Sequence, residues 1–191
     1  MKSTYEARAT KFARVLALLF AGCSDLEDFE YAVECYNECH TRKLTLMHGV
    51  SRIAIVRSDY VIKCDMIPRG SFRDGSAGNC HSEQRVYARA VADGFDYLLA
   101  KTTLVEVEGR EFAIMPRIAH VDDCERWWGD YCDYTEMRWL NDNIGDLHEG
   151  NLGYRRGKVC VIDYAWDEVE DRVTRATTTE DMSSPFSGYQ Y

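Results

Sequence analysis

The chain has 191 residues, of which 46% are apolar and 29% charged. That composition excludes a disordered polar chain and gives enough length for one domain or two small lobes around a core. A net charge of -9 argues against a protein that grips nucleic acid by its phosphates, while leaving nucleotide binding, a local matter of a few groups, open.

Residues 3 to 21 read as a helix, with Ser3-x-x-Glu6 as a capping box and Gly22 as its stop. Leu16 to Cys23 has the wording of a lipoprotein cleavage box, yet the apolar part is only Val15 to Ala21 and Glu6 precedes it, so a helix accounts for it better than export. Ser24-x-x-Glu27 opens a second helix to about Thr41, whose Leu26, Phe29, Tyr31, Val33 and Tyr36 suit packing on a neighbour. The two helices are expected to form a hairpin, residues 1–43, in front of the main domain. The period then changes. Leu44 to Met47 is short and apolar, and Arg52 to Arg57 and Tyr60 to Cys64 are strands joined by the turn pair Ser58-Asp59.

Residues 68 to 79 carry the Gly, Ser and Pro of a loop. Ser82 to Asp93 reads as a helix stopped by Gly94. Thr103 to Val107 and Glu111 to Ile118 flank Glu108-Gly109-Arg110 as a hairpin. Asp122 to Asn141 is an aromatic-rich helix or pair of helices with Trp127, Trp128, Tyr131, Tyr134 and Trp139. Leu152 to Tyr154 and Val159 to Ile162 form a last hairpin, and the chain turns polar from about Thr174. This order predicts an α+β fold, divided as residues 1–43, a small sheet lobe with one helix at 44–118, a reduced helical lobe at 119–173, and a flexible tail at 174–191.

Of the eight cysteines, none forms a CxxC pair, and Cys64 and Cys160 sit inside apolar strands. Reduced thiols in a cytoplasmic protein are expected. Cys35, Cys39 and His40 lack the second ligand pair that a zinc site needs. No stretch approaches the roughly 20 apolar residues of a membrane span.

The chemistry concentrates in Gly145-Asp146-Leu147-His148-Glu149-Gly150-Asn151 and in Asp163, which ends the apolar run Val159 to Ile162. One acid can orient a hydroxyl and take its proton. An amide and a second acid offer oxygens to magnesium, which keeps water and phosphate oxygens in its remaining positions. An acid at the end of a buried strand must face a partner, and a metal is a natural one. Lys63 lies on a strand, where a lone lysine is ordinarily solvated. Glu83, in the first turn of the next helix, is placed to fix it, although the helix dipole alone favours an acid there. Gly49 sits between the first two strands and serves either a plain turn or a loop over phosphates.

Ile144 to Ala165 resembles the catalytic loop and metal-binding strand of the protein-kinase-like superfamily, in wording closest to its aminoglycoside-phosphotransferase-like and compact bacteriophage branches. The resemblance spans roughly residues 44 to 166 and implies a reduced two-lobed kinase-like fold. It implies Asp146 as catalytic base, Asn151 and Asp163 as magnesium ligands, Lys63 as the phosphate-holding lysine and Glu83 as its partner. Gly49 would belong to the phosphate-covering loop, and Phe112 to Pro116, including Met115, would lead into the segment that binds adenine. ATP and Mg2+ follow as cofactors, and a Ser or Thr of a host protein as acceptor, for a phage-encoded kinase. Three departures stand out. Gly49 is alone where the family has several glycines, Ala165 replaces a glycine, and 28 residues follow Asp163 where a full kinase carries a substrate platform. They leave a second expectation, a kinase-shaped binding module that occupies a host protein without transferring phosphate.

Overall fold

A computed structural model describes residues 4–49, 51–66, 79–120, 132–155 and 157–165. The expected loop at 68–78, the first half of the aromatic helix with Trp127, Trp128 and Tyr131, and the tail from 174 lie outside the described residues. Among the described residues the order is α1 (Thr4–Leu19), α2 (Leu26–Cys39), β1 (Thr45–His48), β2 (Arg52–Val56), β3 (Tyr60–Asp65), α3 (Cys80–Asp93), β4 (Thr103–Val107), β5 (Arg110–Pro116), β6 (Ala119–His120), α4 (Tyr134–Asn143), β7 (Leu152–Arg155) and β8 (Lys158–Val161). The fold is α+β. A five-stranded antiparallel sheet in the order β1-β2-β3-β5-β4 is joined by a small antiparallel sheet, β6-β7-β8.

Period-two alternation divides the large sheet into two faces. Ile53, Ile55, Ile62, Cys64, Phe112 and Ile114 share a core with Ala9, Ala13, Leu16 and Phe20 of the first helical segment and with Phe29 and Val33 of α2. The helical hairpin is therefore the covering layer of one face of the sheet. Phe20 and Phe29, both fully buried, meet edge to face at 4.9 Å, a favoured aromatic geometry. Glu6, read from the sequence as one end of a capping box, is buried and accepts a 2.7 Å bond from Lys101. The opposite face carries Val61 and Met115. These join Val86 and Ala90 of α3, Trp139 and Leu140 of α4, and Leu152, Val161 and Tyr164 in a second core.

Two helix starts differ from the sequence reading. The N-cap of α2 is Asp25, which accepts from the Asp28 amide at 3.0 Å. Ser24 bonds to the Asp28 carboxylate. In α3 the cap is Asn79, accepting from the Ser82 amide at 2.8 Å, so the helix begins two residues before Ser82. In both cases a nearer Asx side chain wins the cap. Gly94 ends α3 with φ 80°, the left-handed position glycine takes without penalty. The β4–β5 turn has Glu108 at φ 51° and Gly109 at φ 74°, a pair of positive angles that matches the twist of a two-residue hairpin. Within the aromatic segment, α4 starts on a capping box of Asp133 and Glu136.

Since Phe20 is fully buried between the helices and the sheet, Phe20→Ala should destabilise the protein by about 3–5 kcal/mol in urea unfolding. A loss under about 1 kcal/mol would mean that the hairpin does not share the sheet's core.

Candidate functional site

The second face of the sheet looks onto a cavity of about 820 Å³, within the range of small-molecule sites. β2, β3 and β5 provide one wall through Ala54, Val61, Lys63 and Met115. The facing wall comes from the late segment, with Asp146, Asn151, Ile162 and Asp163. Apolar side chains thus line part of the space, and charged groups gather where β3 meets the segment after β8.

The centre of that cluster is Glu83, fully buried on the first turn of α3. A buried carboxylate is costly unless both its oxygens are satisfied. Here Oε1 accepts from Lys63 Nζ at 2.7 Å and Oε2 from Arg52 Nη1 at 3.2 Å. Lys63 also donates to the Ile162 carbonyl at 2.9 Å and lies 3.4 Å from Asp163 Oδ1. The second arm of Arg52 donates to the same Asp163 oxygen. Two cations and two carboxylates therefore form a closed quartet between β2, β3, α3 and the segment after β8. Burial works against Asp163 ionising, but Lys63 and Arg52 outweigh it and hold its pKa at about 2. Burial likewise works against charge on Arg52, and Glu83 and Asp163 more than reverse this, holding it above its ordinary value. Asp163 is the exposed corner of the quartet, with 43% of its side chain accessible. Its neighbour Tyr164 is buried and locked by its hydroxyl to Thr102 at 2.6 Å and to the Ala100 carbonyl, which fixes where the strand delivers Asp163.

The Asp146 loop is built by its own backbone. Asn151 donates from Nδ2 to the Asp146 carbonyl at 2.8 Å, and its carbonyl accepts from the Ile162 amide at 2.7 Å. The Asp146 loop is thereby stitched to the segment that delivers Asp163. His148 Nδ1 accepts from the Gly150 amide at 3.0 Å, so a neutral His148 carries its proton on Nε2. That nitrogen is 3.7 Å from Asp146 Oδ1, beyond hydrogen-bond range. A Cβ on Gly150 would lie 2.8 Å from the His148 ring, so glycine is what allows the ring to sit there. Gly153 has the same kind of role at the base. A Cβ there would meet Ile118, Ala119 and Ile162 within 3 Å, and its absence lets β7 lie against β6. The Asp146 carboxylate is 58% exposed and lines the cavity.

The structure thus brings Lys63, Glu83 and Asp163 into direct contact, and lines one cavity with Lys63, Asp146, Asn151 and Asp163. Met115 lines it too, from within β5, where it pairs in register with Val61. Gly49 sits at its rim, but its amide donates to the Arg52 carbonyl at 2.8 Å, and an added Cβ would have only that oxygen for a neighbour, at 4.0 Å. Gly49 is a turn residue that neither needs glycine's freedom nor offers a spare N–H. Arg52 escaped sequence reading, because a cation at the first position of an apolar strand looks like a solvated end. The signal was alternation: Arg52 lies on the face of Ala54, which pairs with Lys63.

The donor set fits magnesium. Among the described residues, no cluster of three or more His, Cys, Asp or Glu could hold a metal ion. With Asn151 Nδ2 engaged, Oδ1 is left as an oxygen donor, and the second Asp163 oxygen has no partner among the described residues. Two hard oxygen donors lining one cavity suit Mg2+ better than a soft metal, which prefers thiolate or imidazole.

The quartet makes stability depend on pH. The folded pKa of Asp163 lies below its unfolded value of roughly 3.9, so its contribution is present above about pH 4 and fades as pH falls towards about 2. The difference in melting temperature between the wild type and Asp163→Asn should therefore shrink from neutral pH to about pH 3, and a constant difference would contradict the ion pairing. Glu83→Ala strands two buried cations and should cost about 3–5 kcal/mol in urea unfolding.

No protein-family model matches the chain, and no curated protein matches it in sequence. Among solved structures it is similar to one described as a co-crystal structure of WbdD and the kinase inhibitor LY294002, at 14% identity and a TM-score of 0.41. The match covers 76% of this chain and 39% of that one, so this chain spans well under half the length of its structural neighbour. A likeness at that level assigns neither family nor activity.

Proposed function

We propose that this chain is an ATP- and magnesium-dependent phosphotransferase of the protein-kinase-like type. One observation carries the reading: a lysine backed by a fully buried glutamate lines one nucleotide-sized cavity together with an acid and an amide that each keep one oxygen without a partner among the described residues, and with a second, exposed acid. In this reading Lys63, held by Glu83, presents its ammonium to the phosphates of ATP. Asn151 and Asp163 would hold magnesium, which when bound would supply charge neutralisation for a transferring phosphoryl group. The apolar wall of Ala54, Val61, Met115 and Ile162 receives the adenine. Asp146 accepts the proton of an incoming hydroxyl, and Asn151 steadies it by holding its backbone carbonyl. Catalysis then comes from positioning and charge neutralisation. The exposure of Asp146 suits a hydroxyl on a large acceptor, a Ser or Thr of a host protein for a phage-encoded enzyme.

A second reading is supported by two specific features. Asp163 Oδ1 is already held by two cations, and the lone glycine of the first turn has its amide engaged. A binding module that has lost transfer would tolerate both. Incubation with radiolabelled ATP and magnesium separates the two. Under the first reading the wild type transfers label, to itself or to a host lysate. Asp146→Asn lowers that transfer by about 100- to 10,000-fold while ATP binding measured by calorimetry is unchanged. Equal labelling by the variant would remove Asp146 from the chemistry, and no labelling by a wild type that binds ATP would favour the module.

A further inference from the structure

Arg52 is the one member of the charged quartet to which the reading above gives no task. It is buried, its guanidinium spans Glu83 and Asp163, and it lines the cavity beside Lys63. It also follows directly on the turn that would have to cover a triphosphate. In that turn the Gly49 amide is bonded back to the Arg52 carbonyl and is not a free donor. A phosphate chain bound here would need positive charge from elsewhere, and among the groups facing it from β2 the guanidinium supplies a fixed fork of donors suited to phosphate oxygens. The groups around Arg52 are consistent with a shared, movable contact. Glu83 is buried and committed, whereas Asp163 is exposed on one side. Asp65, its cross-strand neighbour, is already spent on the Cys80 amide at 3.0 Å.

We propose that Arg52 is a second phosphate-binding cation, which keeps one arm on Glu83 and exchanges the other from Asp163 to a phosphate oxygen when a nucleotide arrives. That exchange would leave Asp163 Oδ1 free as an oxygen donor for a bound magnesium ion. The residue takes over, from a side chain, the task that glycine-loop amides would perform, and the ion pair with Asp163 keeps the buried guanidinium satisfied in the empty site. This inference rests on the nucleotide reading above and gives that site a distinct residue for binding phosphate.

Calorimetry on the full chain tests it, with ATP, inorganic tripolyphosphate and adenosine as probes. Arg52→Gln should weaken ATP and tripolyphosphate by about 10- to 100-fold and leave adenosine unchanged. With EDTA the loss reports the phosphate contact alone, and with magnesium it should be no larger, because Arg52→Gln also frees Asp163. Arg52→Lys keeps the charge but cannot bridge two partners with a fork, and should lose several-fold. Melting curves establish that each variant is folded, and Arg52→Lys decides the matter if Arg52→Gln is not. Equal or tighter ATP binding by a folded Arg52→Gln would show that Arg52 only restrains Asp163, and would overturn this inference alone. Failure of the wild type to bind ATP or tripolyphosphate would overturn the nucleotide reading and this inference with it.

Discussion

A carboxylate with no exposed surface sets the terms for this molecule. Glu83 sits at the first turn of α3 with no access to water, where an unpaired charge would cost several kcal/mol. It is stable there because two cations from adjacent strands meet its two oxygens, Lys63 from β3 and Arg52 from β2. The same contacts hold α3 against the sheet in one register. A sliding helix would strand Glu83, and a slipped strand would turn Lys63 into the opposite core. Packing on the other face enforces the same alignment, since Ile53, Ile55, Ile62 and Cys64 are committed to the helical hairpin.

From that anchor the charge network reaches across the cavity. Lys63 and Arg52 both extend to Asp163, and Lys63 also holds the Ile162 carbonyl. Behind it, Tyr164 is pinned to Thr102 and Ala100, the Ala100 amide bonds the Val161 carbonyl at 2.8 Å, and Asn151 ties the Asp146 loop to Ile162. The early sheet and the late segment are therefore joined by side chains that also line the open space between them. Interactions that hold the fold and interactions available to a ligand are here the same ones.

Much of this was legible in the residues themselves. Strand alternation put Lys63 on the face away from Ile62 and Cys64, and the first turn of the next helix held a single acid, Glu83. The spacing of Asp146 and Asn151, followed by an apolar strand ending in Asp163, marked the second wall. Other features depended on tertiary context that periodicity does not carry. Arg52 reads as a solvated strand end until its cross-strand neighbours are known. Gly49 reads equally as a plain turn or as part of a phosphate loop until its amide is seen to be engaged. The cap of α2 is Asp25, one residue after Ser24, and that of α3 is Asn79, three residues before Ser82, because an Asx carboxyl or amide oxygen competes well for the same N–H groups. That the helical hairpin is the back layer of the sheet, and not a separate front piece, follows only from which strand residues it shares a core with.

The central claim is that Lys63, Asn151 and Asp163 converge on one metal-bound triphosphate. A crystal structure of the chain with a non-hydrolysable ATP analogue and magnesium tests it most directly. The account predicts density for the metal between Asn151 Oδ1 and the Asp163 carboxylate, phosphate oxygens within hydrogen-bond distance of Lys63, and the base against Val61 and Met115. An analogue bound elsewhere, or a cavity that stays empty at saturating nucleotide, would contradict it.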